Sequence, residues 1–290
     1  MSRRQGTLCF VALAVLASLA SLPPLVMAQE RTARPQRIVS LNLCTDQLLL
    51  ELVGRERIAS VSFLATDPEF SAVVDRAAGI PPNRGLAEEI VAFDPDLVLA
   101  HRFASRQSVE ALKRLGYAVV EIDLPQDLAA VREQIAAVAA AVGEPARGRA
   151  LADRIEARLA ALPQPAGKRP TAAIYEPSGY AFGANSLADA ILRAAGFDNL
   201  AAELGIGGYA RLGLETLLAS PPDMLVVDDT AVDRRSMAQQ FLDHPALRQR
   251  FPDSSRIAVP RRLWICGGSA VAEAATLLSR ARLEREGRRQ

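Results

Sequence analysis

Twice along this chain, short apolar strands alternate with amphipathic helices, and a long helical stretch separates the two series. That doubled pattern limits the fold more than any other feature. Arg37–Leu41 reads as a short buried strand, Cys44–Leu52 as an amphipathic helix ended by Gly54, and Ile58–Val61 as a second apolar run. A helical turn at Glu88–Phe93 is closed by Asp94 and Pro95 before the strand Leu97–Ala100. Ser105–Leu115 has helical periodicity, and Ala118–Ile122 is strand-like again. Strands that alternate with helices predict a parallel sheet built from βαβ units. From Asp127 to Leu162 the chain is rich in Ala, Leu, Arg and Glu, interrupted at Gly143 and Pro145. Two helices are expected there, Asp127–Val142 and Pro145–Leu162, the second with Pro in its first turn, where a missing N–H costs nothing. Pro163, Pro165, Gly167 and Pro170 end it. A second series follows: Thr171–Tyr175, Ser186–Ala195, Asp223–Val227, Arg256–Val259 and a final helix Ser269–Glu286. The expected fold class is α/β, with two Rossmann-like lobes, 37–144 and 170–286, joined by one long α-helix at 145–162.

The first residues read as an address. Arg3 and Arg4 precede a compact apolar run, Leu8–Leu19; Pro23 and Pro24 follow, and Val26 and Ala28 are small residues where a signal peptidase reads. This is the layout of a secretory signal peptide over 1–28, cleaved near Ala28, and the run is too short to span a bilayer comfortably. Cys9 lies inside the run, a poor place for a lipoprotein cleavage site. The mature protein is expected to be soluble and outside the cytoplasm. Cleavage removes two arginines and no acid, which moves the formal charge from +1 to −1. Near-neutrality gives no electrostatic reason to expect a nucleic acid or an anionic membrane as partner. Cys44 and Cys266 are the cysteines that remain. In an oxidising compartment they are compatible with one disulfide, but spacing alone does not establish it.

Four stretches carry a family likeness: RIVSLNLCTDQLLLELVGRERIASVS, LAEEIVAFDPDLVLA, LGLETLLASPPDMLVV and LWICGGSAVAEAATLL, in that order over 37–285. Together they resemble periplasmic binding proteins for cobalamin and ferric siderophores. The resemblance implies ligand held between two lobes, and a helical hinge that closes through small angles and leaves the site largely pre-organised. It implies a periplasmic, monomeric, non-enzymatic carrier without resident cofactor or metal. Its partners would be an ABC importer permease with its ATPase. Its cargo would be a metal chelate or corrinoid, either ferric siderophore or cobalamin, with haem the alternative. Glu88 and Glu215 each precede a Pro-Asp–strand unit, one in each half. In the resembled family, glutamates at these positions dock on permease arginines, where complementary charge fixes orientation and speeds association. The plainer reading is a helix N-terminal carboxylate favoured by the macrodipole.

Open α/β sheets bind ligands at the carboxyl ends of their strands. That rule selects Asn42–Thr45, Ala65–Asp67, His101–Phe103, Glu176–Tyr180, Tyr209 and Leu263–Cys266. The candidate ligand-binding residues are Cys44, Arg84, Arg102, Tyr175, Tyr209 and Trp264. Tyr209 sits among glycines, a poor core environment, whereas Trp264 suits core and cleft equally. Arg84 and Arg102 offer positive charge to an anionic chelate, or are solvated surface. Three readings stay open for Cys44 and Cys266: a bond that tethers the lobes, free thiols near the ligand, or one thiol on a metal centre. Oxidation favours the bond. His101 and His244 are too few to grip a bare metal ion, and HPAL at His244 reads as a helix start. GIGGYA at Gly205–Ala210 superficially matches a dinucleotide loop but follows no convincing strand, so a Rossmann-like enzyme or cofactor-assembly protein is the lesser alternative.

Overall fold

The structure, a computed structural model, describes residues 34–102, 104–228 and 241–289. The expected signal peptide 1–28, with Cys9, and Phe103 lie outside the described residues. Among the described residues, no helix is long and apolar enough to cross a membrane.

The first series runs β1 (Ile38–Ser40), α1 (Leu43–Leu52), β2 (Ile58–Ser62), α2 (Val74–Ala77), β3 (Pro82–Asn83), α3 (Ala87–Val91), β4 (Leu97–His101), α4 (Arg106–Arg114) and β5 (Val119–Ile122). Its five strands pair in the order β3-β2-β1-β4-β5, every neighbour parallel. Two helices follow, α5 (Leu128–Ala141) and α6 (Pro145–Ala160). The second series is β6 (Thr171–Glu176), β7 (Tyr180–Phe182), α7 (Leu187–Ala194), β8 (Asp198–Asn199), α8 (Leu200–Glu203), β9 (Tyr209–Arg211), α9 (Leu214–Ala219), β10 (Met224–Val227), α10 (Pro245–Arg250), β11 (Arg256–Ala258) and α11 (Ala270–Arg289). Its sheet has the order β11-β10-β6-β7-β9, with β8 also on β6. The expected α/β fold of two Rossmann-like lobes with a helix between them is what the chain forms.

Local chemistry places the helix starts. Asn42, Ser105, Asp127 and Ser186 each accept a hydrogen bond from the backbone N–H three residues on, which satisfies one of the orphan donors of α1, α4, α5 and α7. Pro145 opens α6, where its missing N–H is not needed. The apolar faces then merge. One core cluster runs from Ile38 and Leu48 through Ile135 of α5 and Ile155 of α6 to Ile174, Ile191 and Leu278, so both sheets share it. Smaller clusters fill the outer face of each sheet, around Val98 and Leu112 in the first and Tyr175 and Leu217 in the second.

The second sheet departs from the parallel expectation. β7 pairs antiparallel with β6 and with β9. The edge of β6 is divided: β8 takes Thr171 and Ala172 in parallel, while β7 takes Tyr175 and Glu176 antiparallel. Reversal occurs at Pro177–Gly179, where Ser178 and Gly179 both hold left-handed φ, 63° and 76°. Such a turn matches strand twist and favours glycine. It puts a small hairpin at the carboxyl end of β6, where a doubly wound sheet holds its ligands.

Candidate functional site

The loops at the carboxyl ends of the two sheets meet each other. Cys44, just after β1, is disulfide-bonded to Cys266, beyond β11, with a sulfur–sulfur distance of 2.05 Å and Cα atoms 5.1 Å apart. Arg261, also beyond β11, lays its guanidinium 5.7 Å from the ring centroid of Phe70, which follows β2. Arg262 Nη1 donates to the Pro68 carbonyl at 3.4 Å. In the disulfide-bonded state Cys44 is neither a free thiol nor a metal ligand.

Strand parity decides what the β6–β7–β9 hairpin presents. Successive side chains point to opposite faces. Tyr175 and Ala181, a cross-strand pair, both have 0% exposure, and the Tyr175 hydroxyl donates to the Leu212 carbonyl at 3.2 Å. Burial pushes its pKa up to about 12. The expectation that Tyr175 binds ligand is therefore withdrawn. The next residue, Glu176, takes the other face with Tyr180, Phe182 and Tyr209. There Tyr209 stacks on Tyr180 with centroids 5.0 Å apart and packs against Phe182 at 4.7 Å. Tyr209 remains 54% exposed, so the three rings form a shelf with an open side. Burial against the shelf, then the Glu176 carboxylate, raises the Tyr209 pKa.

Beside the shelf lies a charged triad. Arg261 Nη2 donates to Glu176 Oε2 and its Nε to Asp228 Oδ2, each at 2.9 Å. Glu176 and Asp228 are buried, and desolvation raises the Glu176 pKa although Arg261 opposes it. The guanidinium is committed to two carboxylates, and the triad carries net negative charge. Sequence reasoning singled out neither Arg261 nor Asp228; an Arg three residues past a short strand end was the available signal. It also named Tyr180 solely as a loop end and missed Phe182.

The remaining candidates are scattered. Trp264 is 2% exposed, within the shared core, and its indole Nε1 finds no partner among the described residues. It is removed from the ligand surface, because the Arg261–Leu263 turn, anchored by the triad, carries the chain inward. Arg84 is exposed, its backbone N–H donating to Glu89 Oε2 at 2.7 Å. Arg102 is tied to Asp123 at 2.5 Å in a largely exposed pair, worth little to stability. Glu88 and Glu215 are both exposed and each is the second residue of its short helix, α3 and α9. His101 is buried at the end of β4, and burial lowers its pKa. His244 caps α10, its Nδ1 accepting from the Ala246 N–H at 3.2 Å, a structural role as its HPAL context suggested. Among the described residues, no group of three or more His, Cys, Asp or Glu side chains converges on a metal position. The glycine-rich stretch 205–210 leads from α8 into the edge strand β9; a dinucleotide loop runs the other way, from strand to helix.

Comparison with known proteins agrees with this geometry. Residues 38–250 match the family described as periplasmic binding protein. A cobalamin-binding protein of Halobacterium salinarum (strain ATCC 29341 / DSM 671 / R1) is 28% identical over 219 residues, which are 74% of this chain and 59% of that protein. The chain thus spans 59% of the length of the curated relatives it matches. Among solved structures, the periplasmic heme-binding protein RhuT from Roseiflexus sp. RS-1 superposes with a TM-score of 0.67 at 26% identity, covering 85% of this chain and 98% of that one. The periplasmic heme-binding protein HutB of Vibrio cholerae gives a TM-score of 0.70 at 18% identity, with 84% and 98% covered, a likeness of fold alone.

Proposed function

The chain belongs to the periplasmic binding protein family, and on that premise we propose that it captures a flat metal macrocycle, cobalamin first, and delivers it to an ABC importer. The observation that carries the choice of cargo is the open aromatic shelf of Tyr180, Phe182 and Tyr209 at the carboxyl ends of the second sheet. The face of a macrocyclic ring gains dispersion and burial on such a surface, while polar groups at its edge can stay in water. A polyanionic ferric chelate gains less, because Arg261 is committed to Glu176 and Asp228, and Arg102 to Asp123. The name of the Halobacterium relative supports the corrinoid reading. Haem is the second reading, supported by the same shelf and by the heme-binding name of the 26% identical Roseiflexus protein.

The carrier is proposed as a periplasmic monomer, not an enzyme. Its lobes are 37–144 and 170–286 with the helix 145–162 between them, and a signal peptide ends near Ala28. Arg84 stays a candidate for a peripheral ligand contact. Glu88 and Glu215 are its proposed contacts with the permease. Calorimetric titration of the purified protein with cobalamin, haem and a ferric siderophore tests the cargo. Cobalamin is expected to bind, and Tyr209→Ala to weaken it about tenfold, the equivalent of one aromatic stacking contact. Undiminished affinity in that variant, or heat from the siderophore alone, sinks the reading.

A further inference from the structure

Beside the shared apolar core, the second sheet meets the first half through the segment 261–269, where glycine backbone and polar groups enter the contact. Gly267 and Gly268 bring backbone against polar side chains. A Cβ would stand 2.5 Å from Gln134 Oε1 at the first position and 3.0 Å from Glu51 Oε1 at the second, where φ is also +104°. Ser269 donates to Glu51 Oε1 from both its N–H, at 3.3 Å, and its hydroxyl, at 3.0 Å. Gln134 Oε1 and Trp264 Nε1 are buried without a hydrogen-bond partner among the described residues. Each such atom costs the junction the desolvation of a polar group. Arg261 on Phe70 and Arg262 on the Pro68 carbonyl add contacts at its rim. At this seam orphaned polar atoms and glycine-thin backbone adjoin the shared apolar core, in which Leu263 and Trp264 lie. In the middle of the seam stands the Cys44–Cys266 bond, which closes a separation of 222 residues.

We propose that this disulfide is a redox clamp: it presses the segment 261–269 onto α1 and α5, fixes the relation of the two sheets, and lets go of the cargo when reduced. The halves already share an apolar core and the helices between them; the disulfide adds a covalent point at the polar stretch of their junction. The triad that supports the aromatic shelf hangs from Arg261, inside the clamped segment, so loosening the seam reaches the shelf. Cys44 is a partly exposed residue and Cys266 is 1% exposed. A dithiol reductant would attack Cys44 Sγ as thiolate; Cys266 leaves and takes a proton. The dithiol's second sulfur then closes to a cyclic disulfide and expels Cys44, two electrons and two protons passing to the protein. The cargo consequence rests on the function proposed above, but the clamp itself does not.

Hydrogen exchange of the full chain, disulfide-bonded and after dithiol treatment, tests it, with Cys44→Ser/Cys266→Ser as the permanently open form. Protection is expected to fall together in the first turn of α1 and in 261–269, while β1, β4, β6 and β10 keep theirs. Unchanged protection after reduction overturns the clamp, and loss spread across all strands overturns it in favour of a bond that holds the fold. If the double variant does not fold, the dithiol-treated native protein gives the same readout. Dissociation of cobalamin is expected to be faster from the reduced form, and an equal rate overturns the release step. Loosening of the seam with no cobalamin binding in either state leaves the clamp standing and removes the proposed cargo.

Discussion

Asp46 lies wholly buried beneath the start of α1, accepting from the Ser62 N–H at 3.1 Å and the Ser62 hydroxyl at 2.5 Å. Desolvation outweighs these bonds and raises its pKa from 3.8 to about 7. The folded state thus holds this proton more tightly than the unfolded chain does. The contribution to stability is complete below pH ~4 and is lost as pH climbs to about 7, on the order of 4 kcal/mol in all. Asp46→Asn mimics the neutral acid, so urea unfolding of the variant is expected to lose this slope between pH 4 and 8; a slope equal to wild type would refute the assignment. Residue roles are where reading the sequence went furthest astray. Tyr175 and Glu176 differ by one position, and the pleat sends the first into the core and the second to the shelf. β6 is buried on both faces, so which face meets the shelf is set by its partners, and β7 leaves no trace in the local pattern. Tyr209 fared differently, because a tyrosine among four glycines has little around it to pack against.

At the scale of elements, the longer helices were legible because caps and breakers are local: Asn42, Ser105, Asp127, Ser186 and Pro145 act within a turn of themselves, whereas the four-residue α2 and α8 went unread. The longer parallel strands were legible from their apolar runs, whereas the two-residue β3 (Pro82–Asn83) and β8 (Asp198–Asn199) have none. The hairpin was not, since β7 and β9 have three residues each, too few to display a period of two. Its geometry hangs on Ser178 and Gly179 at positive φ. Gly179→Val, β-branched in the left-handed region, is expected to cost about 1–3 kcal/mol in denaturant melts and to weaken cobalamin binding. Gly179→Asn, which tolerates that region, is expected to keep both. Equal behaviour of the two variants would mean that the turn does not set the shelf.

For the whole molecule, the two exposed glutamates belong to matching places: α3 leads into β4 and α9 into β10, the strand next to the first strand of each sheet. Glu88→Ala/Glu215→Ala is expected to abolish cobalamin uptake in a reconstituted importer while titration gives unchanged affinity. Lost affinity with transport reduced merely in proportion would move the carboxylates to the ligand. The doubled α/β plan, the helix between the halves and the positions of Glu88 and Glu215 followed from the sequence by itself, because periodicity, caps and punctuation are properties of neighbouring residues. Tertiary structure decided the rest: that Trp264 and Tyr175 go inward, that Arg261 is committed to Glu176 and Asp228, and that Cys44 finds Cys266. Those outcomes join residues tens to hundreds of positions apart. They depend on how two sheets turn their carboxyl ends toward each other, which no local pattern encodes.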